Sequence, residues 1–211
     1  MLESADMKLR PWWHFQRSRM FALFKSYDQA ESELLEALRI APTYVRAASA
    51  LGYLYGTLCR YQLAAEQFRL ALSLQPGNAV LLFDLGYVLH LQKDYAQAIE
   101  AFEQAVRLNP KLDRAWYGMG LALASLGRHE ESVQALKRAA TLQPMNGYAW
   151  YELGMAYHAL NSRDKLDEVI AHLNRFDPKM TLHLIRATGK SADSQPVEPR
   201  VASADTVARP D

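Results

Sequence analysis

The feature that most constrains this chain is a set of landmark residues that recurs every 34 positions. Glycines and prolines show the spacing: Gly52, Gly86, Gly120 and Gly154, with Pro42, Pro76, Pro110, Pro144 and Pro178. Small residues keep it at Ala64, Ala98 and Ser132, and larger residues keep it at Phe68, Phe102 and Leu136. A fixed period of this length is typical of stacked repeats and not of one globular core.

Each period contains two amphipathic segments. Within residues 79–112, apolar side chains advance by three and four positions, as at Leu82, Leu85 and Leu89 and again at Ala98 and Phe102. That spacing is typical of helices with one buried face. Proline closes the second segment, because it lacks an amide hydrogen and disfavours helical geometry in the residue before it. The sequence therefore predicts two helices, A and B, in every period.

One stretch of the chain carries a family signature. Residues 150–157, WYELGMAY, match the pattern W-x2-L-G-x2-Y at every fixed position, through Trp150, Leu153, Gly154 and Tyr157. Together with the period, this pattern resembles the tetratricopeptide repeat family. The resemblance implies an all-α fold, namely a right-handed α-solenoid of antiparallel helix pairs that binds other macromolecules.

The resemblance also gives the recurring glycines a role. A glycine inside a helix costs about 1 kcal/mol relative to alanine, so four of them at one register indicate a close approach of the backbone. In the family, this glycine lies where helix A crosses helix B, opposite the small residue of helix B. Here those small residues are Ala64, Ala98 and Ser132.

The resemblance covers five repeats, and the first is degenerate in helix A: residues 11–44, 45–78, 79–112, 113–146 and 147–180. Residues 1–10 are expected to form a lead-in, with the first helix beginning near Met7. Residues 181–189 are expected to form a short capping helix over the exposed end of the array. Residues 190–211 lack aromatic side chains and are rich in Ser, Ala, Asp and Pro, which predicts a disordered tail.

Composition agrees with a folded, water-soluble array. Half of the residues are apolar and 22% are charged, so the chain can bury a core. A net charge of +1 gives no reason to expect a polyanionic partner. No run approaches the about 18 apolar residues of a membrane span, and the first residues do not have the apolar core of a signal peptide. A single cysteine excludes an internal disulfide, and we expect a cytoplasmic protein.

No spacing in the sequence indicates catalysis or metal binding. The six histidines are scattered, and the chain has no HExxH, CxxC, P-loop or GxSxG motif. Cys59 has no second thiol to pair with. We therefore predict a protein without enzymatic activity, bound metal or cofactor.

The candidate functional surface is a stripe along the A helices, which line the concave side in this family. Helical geometry aligns positions 2, 5, 9 and 12 of each repeat, and two repeats also have an acid at position 6, Asp84 and Glu152. The predicted partner-binding residues are Arg46, Tyr53, Phe83, Asp84, Tyr87, His90, Arg114, Tyr117, Tyr148, Tyr151, Glu152 and Met155. Aromatic residues and arginine are enriched in binding hot spots, which favours a groove for a peptide or a partner helix. Aromatic residues at position 5 are common in the family for structural reasons, which weakens the argument for Phe83, Tyr117 and Tyr151.

Three functional hypotheses follow. The first is a scaffold or adaptor that holds a segment of a partner protein in the groove, and the second is a chaperone for secreted or unfolded clients. The third is an RNA-binding helical repeat, against which the near-neutral net charge argues. The lysine and asparagine clamp that some family members use for chaperone C-termini is not expected, because no repeat has those residues at the required positions.

An apolar cluster near the start of the first repeat, Trp12, Trp13 and Phe15, leaves two interpretations open. It packs within the first helix pair, or it mediates self-association with a second copy of the chain. A membrane partner is not expected.

Overall fold

The computed structural model describes residues 2–190, with side chains from residue 10 onward. This part of the chain forms eleven α-helices and no strand. Their bounds are α1 Leu2–Leu23, α2 Tyr27–Ile40, α3 Val45–Thr57, α4 Tyr61–Leu74, α5 Ala79–Leu91, α6 Tyr95–Leu108, α7 Asp113–Ser125, α8 His129–Leu142, α9 Gly147–Ala159, α10 Arg163–Leu173 and α11 Pro178–Thr188. The predicted all-α fold and its helix pairs are confirmed.

The helices stack as a right-handed solenoid. Odd-numbered helices from α1 to α9 are the A helices. Each packs against the B helix that follows it, and α3 to α9 also pack against the B helix before them. Successive A helices also contact one another, as α5 contacts α7 and α7 contacts α9. Within residues 2–190, successive B helices make no comparable contact. The array therefore curves toward its A helices, which line the concave side.

The core alternates large and small side chains. Phe68 and Phe102 are fully buried in α4 and α6, and Ala64 and Ala98 precede them by one helical turn. Large side chains thus fill the space that small ones leave, as close packing requires.

The close approach at the recurring glycines is confirmed, and the nearest contact is a large side chain of helix B in addition to the expected small residue. A Cβ atom added to Gly52, Gly86 or Gly120 would lie 2.9, 2.8 and 2.5 Å from the side chains of Phe68, Phe102 and Leu136. These large residues follow the small residues of helix B by one turn. The small residue still allows the approach, since Ser132 Oγ donates a 2.8 Å hydrogen bond to the carbonyl of Gly120.

The turn from helix A to helix B has one left-handed residue in every repeat, which the sequence pattern did not reveal. Those residues, again 34 apart, are Lys25, Cys59, Lys93, Gly127 and Asn161, with φ between 54° and 74°. The next residue donates its amide hydrogen to a carbonyl five residues earlier, as Asp94 does to Leu89 at 3.0 Å. This is the Schellman ending of a helix, which normally takes glycine. Only the fourth repeat has a glycine there.

Replacing Lys93 with glycine is expected to stabilise the array by about 0.5–1 kcal/mol, because a side chain is strained at positive φ. Lys137→Gly in the middle of α8 is the matched control, and it should destabilise by about 1 kcal/mol because helical geometry there disfavours glycine. Thermal unfolding followed by circular dichroism measures both. Equal destabilisation by the two variants would contradict the prediction.

The first repeat is a complete helix pair despite its degenerate sequence. Ser18 stands at the glycine register, is buried, and donates its hydroxyl hydrogen to the carbonyl of Phe15 at 2.7 Å. His14 and Arg17 both reach Glu33 of α2, at 2.6 and 2.9 Å. Polar contacts therefore join α1 to α2 at positions where later repeats use apolar side chains.

The expected lead-in at residues 1–10 needs correction. Helix α1 begins at Leu2 and not near Met7, so the described residues before Pro11 are helical. Pro11 lies inside α1 and not at its first turn, and it lacks the amide hydrogen that would bond to the carbonyl of Met7.

The C-terminal end of the array also differs from the predicted repeat. Helix α11 begins at Pro178, three residues before the expected start, so this proline opens the capping helix instead of closing the fifth repeat. Asp177 caps it by accepting a 3.0 Å hydrogen bond from the amide of Met180. Gly189 ends it with φ 66°. Residues 191–211, nearly all of the predicted tail, lie outside the described residues.

Helix α11 covers α9 directly. A Cβ atom on Gly154 would lie 2.6 Å from Leu184 of α11, a contact that the B helix supplies in repeats two to four. Leu166 of α10 stands at the small-residue register and is buried. The bulk of this leucine keeps α10 from the close approach seen in earlier repeats, and α11 fills the space.

Candidate partner-binding groove

The concave side presents three exposed tyrosines. The side chains of Tyr53, Tyr87 and Tyr148 are 51%, 51% and 66% exposed, and each comes from a different A helix. Arg46 and Arg114 are exposed on the same stripe. These aromatic and basic residues of the predicted stripe are therefore all exposed.

The remaining predicted residues lie deeper. Half-buried side chains are Phe83, His90, Tyr117, Tyr151, Glu152 and Met155. Tyr117, Tyr151 and Met155 pack against the apolar cluster of the last two repeats, and Phe83 contacts the ring of Phe102 with 6.0 Å between centroids. The aromatic side chains at position 5 therefore contribute to the core as well as to the groove.

Four groups from three repeats meet near Asp84. This aspartate is only 7% exposed and its carboxylate accepts a hydrogen bond from the hydroxyl of Tyr53. The guanidinium carbon of Arg114 lies 4.8 Å from the centroid of the Phe83 ring. Burial raises the pKa of Asp84, while the Tyr53 hydrogen bond and the charge of Arg114 act to lower that pKa. A hydroxyl, an acid, a cation and an aromatic ring thus form one internal set, the Asp84 set, which sequence spacing alone did not reveal.

Glu152 occupies the same repeat position as Asp84, two repeats later, in different surroundings. Burial raises the pKa of Glu152, and no charge among the described residues offsets that rise. Burial, and next the negative charge of Glu152, raise the pKa of Tyr117 to about 12. The negative charge of Glu152 therefore acts on the Tyr117 hydroxyl of the preceding repeat.

His90 contributes less to the groove than the sequence predicted. Its ring packs against Tyr95 of α6 with 5.3 Å between centroids. Its Nδ1 atom is buried without a hydrogen bond to the described residues, and burial lowers the pKa of the imidazole. His90 is therefore mainly neutral at pH 7 and lies against helix B.

The N-terminal tryptophans are exposed, whereas Phe15 is not. The rings of Trp12 and Trp13 are 4.8 Å apart in an edge-to-face arrangement, and Trp13 is 58% exposed. Phe15 is half-buried and packs edge-to-face on Tyr44, the residue directly before α3. The structure also shows exposed Met20 and Leu23 on α1 and exposed Phe24 just after it, which sequence reasoning missed.

The described residues contain neither a cluster of metal ligands nor a membrane-spanning helix. Between residues 10 and 190, no three His, Cys, Asp or Glu side chains cluster as metal ligands would. None of the helices that the structure describes has the length and apolar character of a bilayer crossing.

These observations define a helical-repeat protein whose concave side carries exposed aromatic and basic side chains. A sequence model described as tetratricopeptide repeat matches residues 49–113, 92–144 and 117–165. The matches together span residues 49–165, more than half of the chain, and the chain therefore belongs to the tetratricopeptide repeat family. A comparison with curated protein sequences gives no significant match.

Solved structures of this family superpose on most of the chain. MamA from Desulfovibrio magneticus RS-1 is 23% identical with a TM-score of 0.71, covering 84% of this chain and 96% of that one. YrrB, a tetratricopeptide repeat protein with an unusual peptide-binding site, is 22% identical with a TM-score of 0.71, covering 82% and 90%. The pilF protein of Pseudomonas aeruginosa is 19% identical with a TM-score of 0.71, covering 88% and 87%. At these identities the likeness establishes the shared fold.

Proposed function

We propose that this protein is a non-catalytic scaffold or adaptor that binds a peptide or helical segment of a partner protein in its concave groove. The observation that supports this most is the exposure of Tyr53, Tyr87 and Tyr148 on three different A helices. Large exposed aromatic side chains on a rigid helical frame are typical of binding hot spots. The peptide-binding site of YrrB supports the same proposal by analogy of fold.

Charges at the two ends of the groove would set the register of the bound segment. Arg46 is exposed on α3 in the second repeat, and Glu152 is half-buried on α9 in the fifth. Complementary charges on a partner distinguish one alignment from another and exclude like-charged segments. Asp84 would act indirectly, by holding the hydroxyl of Tyr53 in place.

The double variant Tyr87→Ala with Tyr148→Ala is expected to lose the partner in affinity purification, with at least about tenfold weaker binding, because it removes two exposed aromatic contacts. Both side chains are exposed, so the variant should keep its helical circular dichroism and its melting temperature. Mass spectrometry of the captured proteins, against wild type, measures the loss.

The matched control is Leu70→Ala with Leu108→Ala, which removes exposed apolar surface from the B helices α4 and α6. This control should retain the partner. Equal loss in both double variants, or full retention by the tyrosine variant, would contradict groove binding.

Self-association through α1 is a second proposal. Trp13 and Met20 are spaced by seven positions, so they lie on one exposed face of α1, and exposed Phe24 follows directly after the helix. The variant Trp12→Ser with Trp13→Ser is expected to shift the protein from dimer to monomer in light scattering. An unchanged molar mass for wild type and variant would contradict it.

A further inference from the structure

The Asp84 set shows which groups this groove can bring together with the chain's own side chains. Tyr53 supplies a hydroxyl to the carboxylate, and Arg114 of the following repeat supplies a cation over the Phe83 ring. The cation is close enough to lower the pKa of Asp84. An acid at this position is thus accompanied by a donor, a cation and a ring, all internal to the protein.

The residues 68 positions later form the same set with two members missing. Glu152 replaces Asp84 and Tyr151 replaces Phe83, so the acid and the ring are both kept. Leu121 stands in place of Tyr53 and has no hydroxyl to donate. No sixth repeat supplies a residue equivalent to Arg114, because α11 follows and Leu182 stands at that register.

The surroundings of Glu152 lack the hydroxyl donor and the cation that accompany Asp84. No hydrogen bond or ion pair joins its carboxylate to any side chain between residues 10 and 190. Burial raises its pKa without an opposing charge, in contrast to Asp84. Tyr148 lies one helical turn before Glu152 and therefore on the same face of α9, and Tyr117 of α7 packs against the same apolar cluster as Tyr151. The carboxylate thus lies among aromatic rings, where a desolvated cation is favoured.

We propose that Glu152 is the subsite for a basic side chain of the bound protein segment, whose ammonium or guanidinium group pairs with the carboxylate and lies against the Tyr151 ring. The bound segment then supplies from outside the cation that Arg114 supplies internally two repeats earlier. This inference rests on the proposed function, and it places a basic residue of the segment at the fifth repeat.

A peptide selection tests the inference. Phage-displayed random peptides are selected on the wild-type protein, and those that no longer bind Tyr87→Ala with Tyr148→Ala are kept as groove ligands. The kept peptides should share a lysine or arginine at one position. A synthetic consensus peptide, and its variant with norleucine at that position, are then titrated by fluorescence anisotropy.

Glu152→Gln should lower the affinity for the basic peptide by about ten- to a hundredfold, as expected for a lost charge-assisted hydrogen bond. The same substitution should leave the affinity for the norleucine peptide unchanged. The effect would then come from the pairing of Glu152 with the basic side chain and not from a change in the fold. Glu103→Gln, on the exposed face of α6, makes the same change in net charge and should alter neither affinity.

The outcomes separate this inference from the proposed function. Groove ligands without a shared basic position, or equal affinity of the basic peptide for wild type and Glu152→Gln, would overturn the inference and leave groove binding intact. If the protein selects no peptide, or selects only peptides that bind the tyrosine variant equally well, both the proposed function and this inference are wrong.

Discussion

Leu184→Ala is expected to destabilise the array by about 2–5 kcal/mol, as large-to-small substitutions in a core do. Leu184 is fully buried and fills the space beside Gly154, which α10 does not approach closely enough to fill. Truncation leaves a cavity that α9 cannot close. In a solenoid each unit is stabilised by its neighbours, so loss of the terminal cover should loosen the whole fifth repeat.

Leu182→Ala on the same helix is the matched control for this prediction. Leu182 is 50% exposed, so its truncation removes the same atoms without opening a cavity, and the change should stay within about 0.5 kcal/mol. Thermal and urea unfolding by circular dichroism measure both variants. If the two leucines gave equal changes, α11 would not be the structural cap that the contacts indicate.

Gly86→Leu is expected to destabilise by about 1–3 kcal/mol through overpacking. Even a Cβ atom at this position would lie 2.8 Å from the Phe102 ring and 3.2 Å from the carbonyl oxygen of Ala98. Phe102 is itself fully buried, so its ring has no free space to rotate into. For a protein of this size the melting temperature should fall by about 2–4 °C for each kcal/mol lost.

Alanine substitutions isolate the steric cause. Helix propensity favours alanine over glycine by about 1 kcal/mol at Gly86 and at Gly56, since both lie within helices. A Cβ atom on Gly56 meets nothing within 4 Å. Gly56→Ala should therefore be neutral or stabilising and Gly86→Ala destabilising. An equal gain at both positions would show that the helices are not closely packed at Gly86.

Much of the fold could be predicted from the sequence because each repeat packs its two helices in the same way. The spacing of Gly86, Ala98 and Phe102 encodes one helix pair, and its recurrence encodes the stacking of successive pairs. The ends were predicted less well. Pro178 keeps the repeat spacing but opens α11, because the end of an array has no next repeat to impose the usual geometry.

The candidate groove was predictable as a stripe and not as a set of contacts. Helical periodicity placed Tyr53, Tyr87 and Tyr148 on one face, and they are exposed there. Periodicity did not indicate that Tyr53 bonds to Asp84 of the next repeat, nor that His90 lies against Tyr95. Those outcomes depend on the rotation between neighbouring repeats, which no single helix encodes.

The sequence by itself determined the period, the helix pairs and the family, because close packing requires small and large residues at fixed intervals. Only the tertiary structure decided which polar side chains have a hydrogen-bond partner within the protein. It pairs Asp84 with Tyr53 and leaves Glu152 among aromatic rings without a partner between residues 10 and 190. The physical reason is that burial and pairing depend on which neighbour the superhelix brings within a few ångströms, and residues in different repeats meet only after the array has stacked.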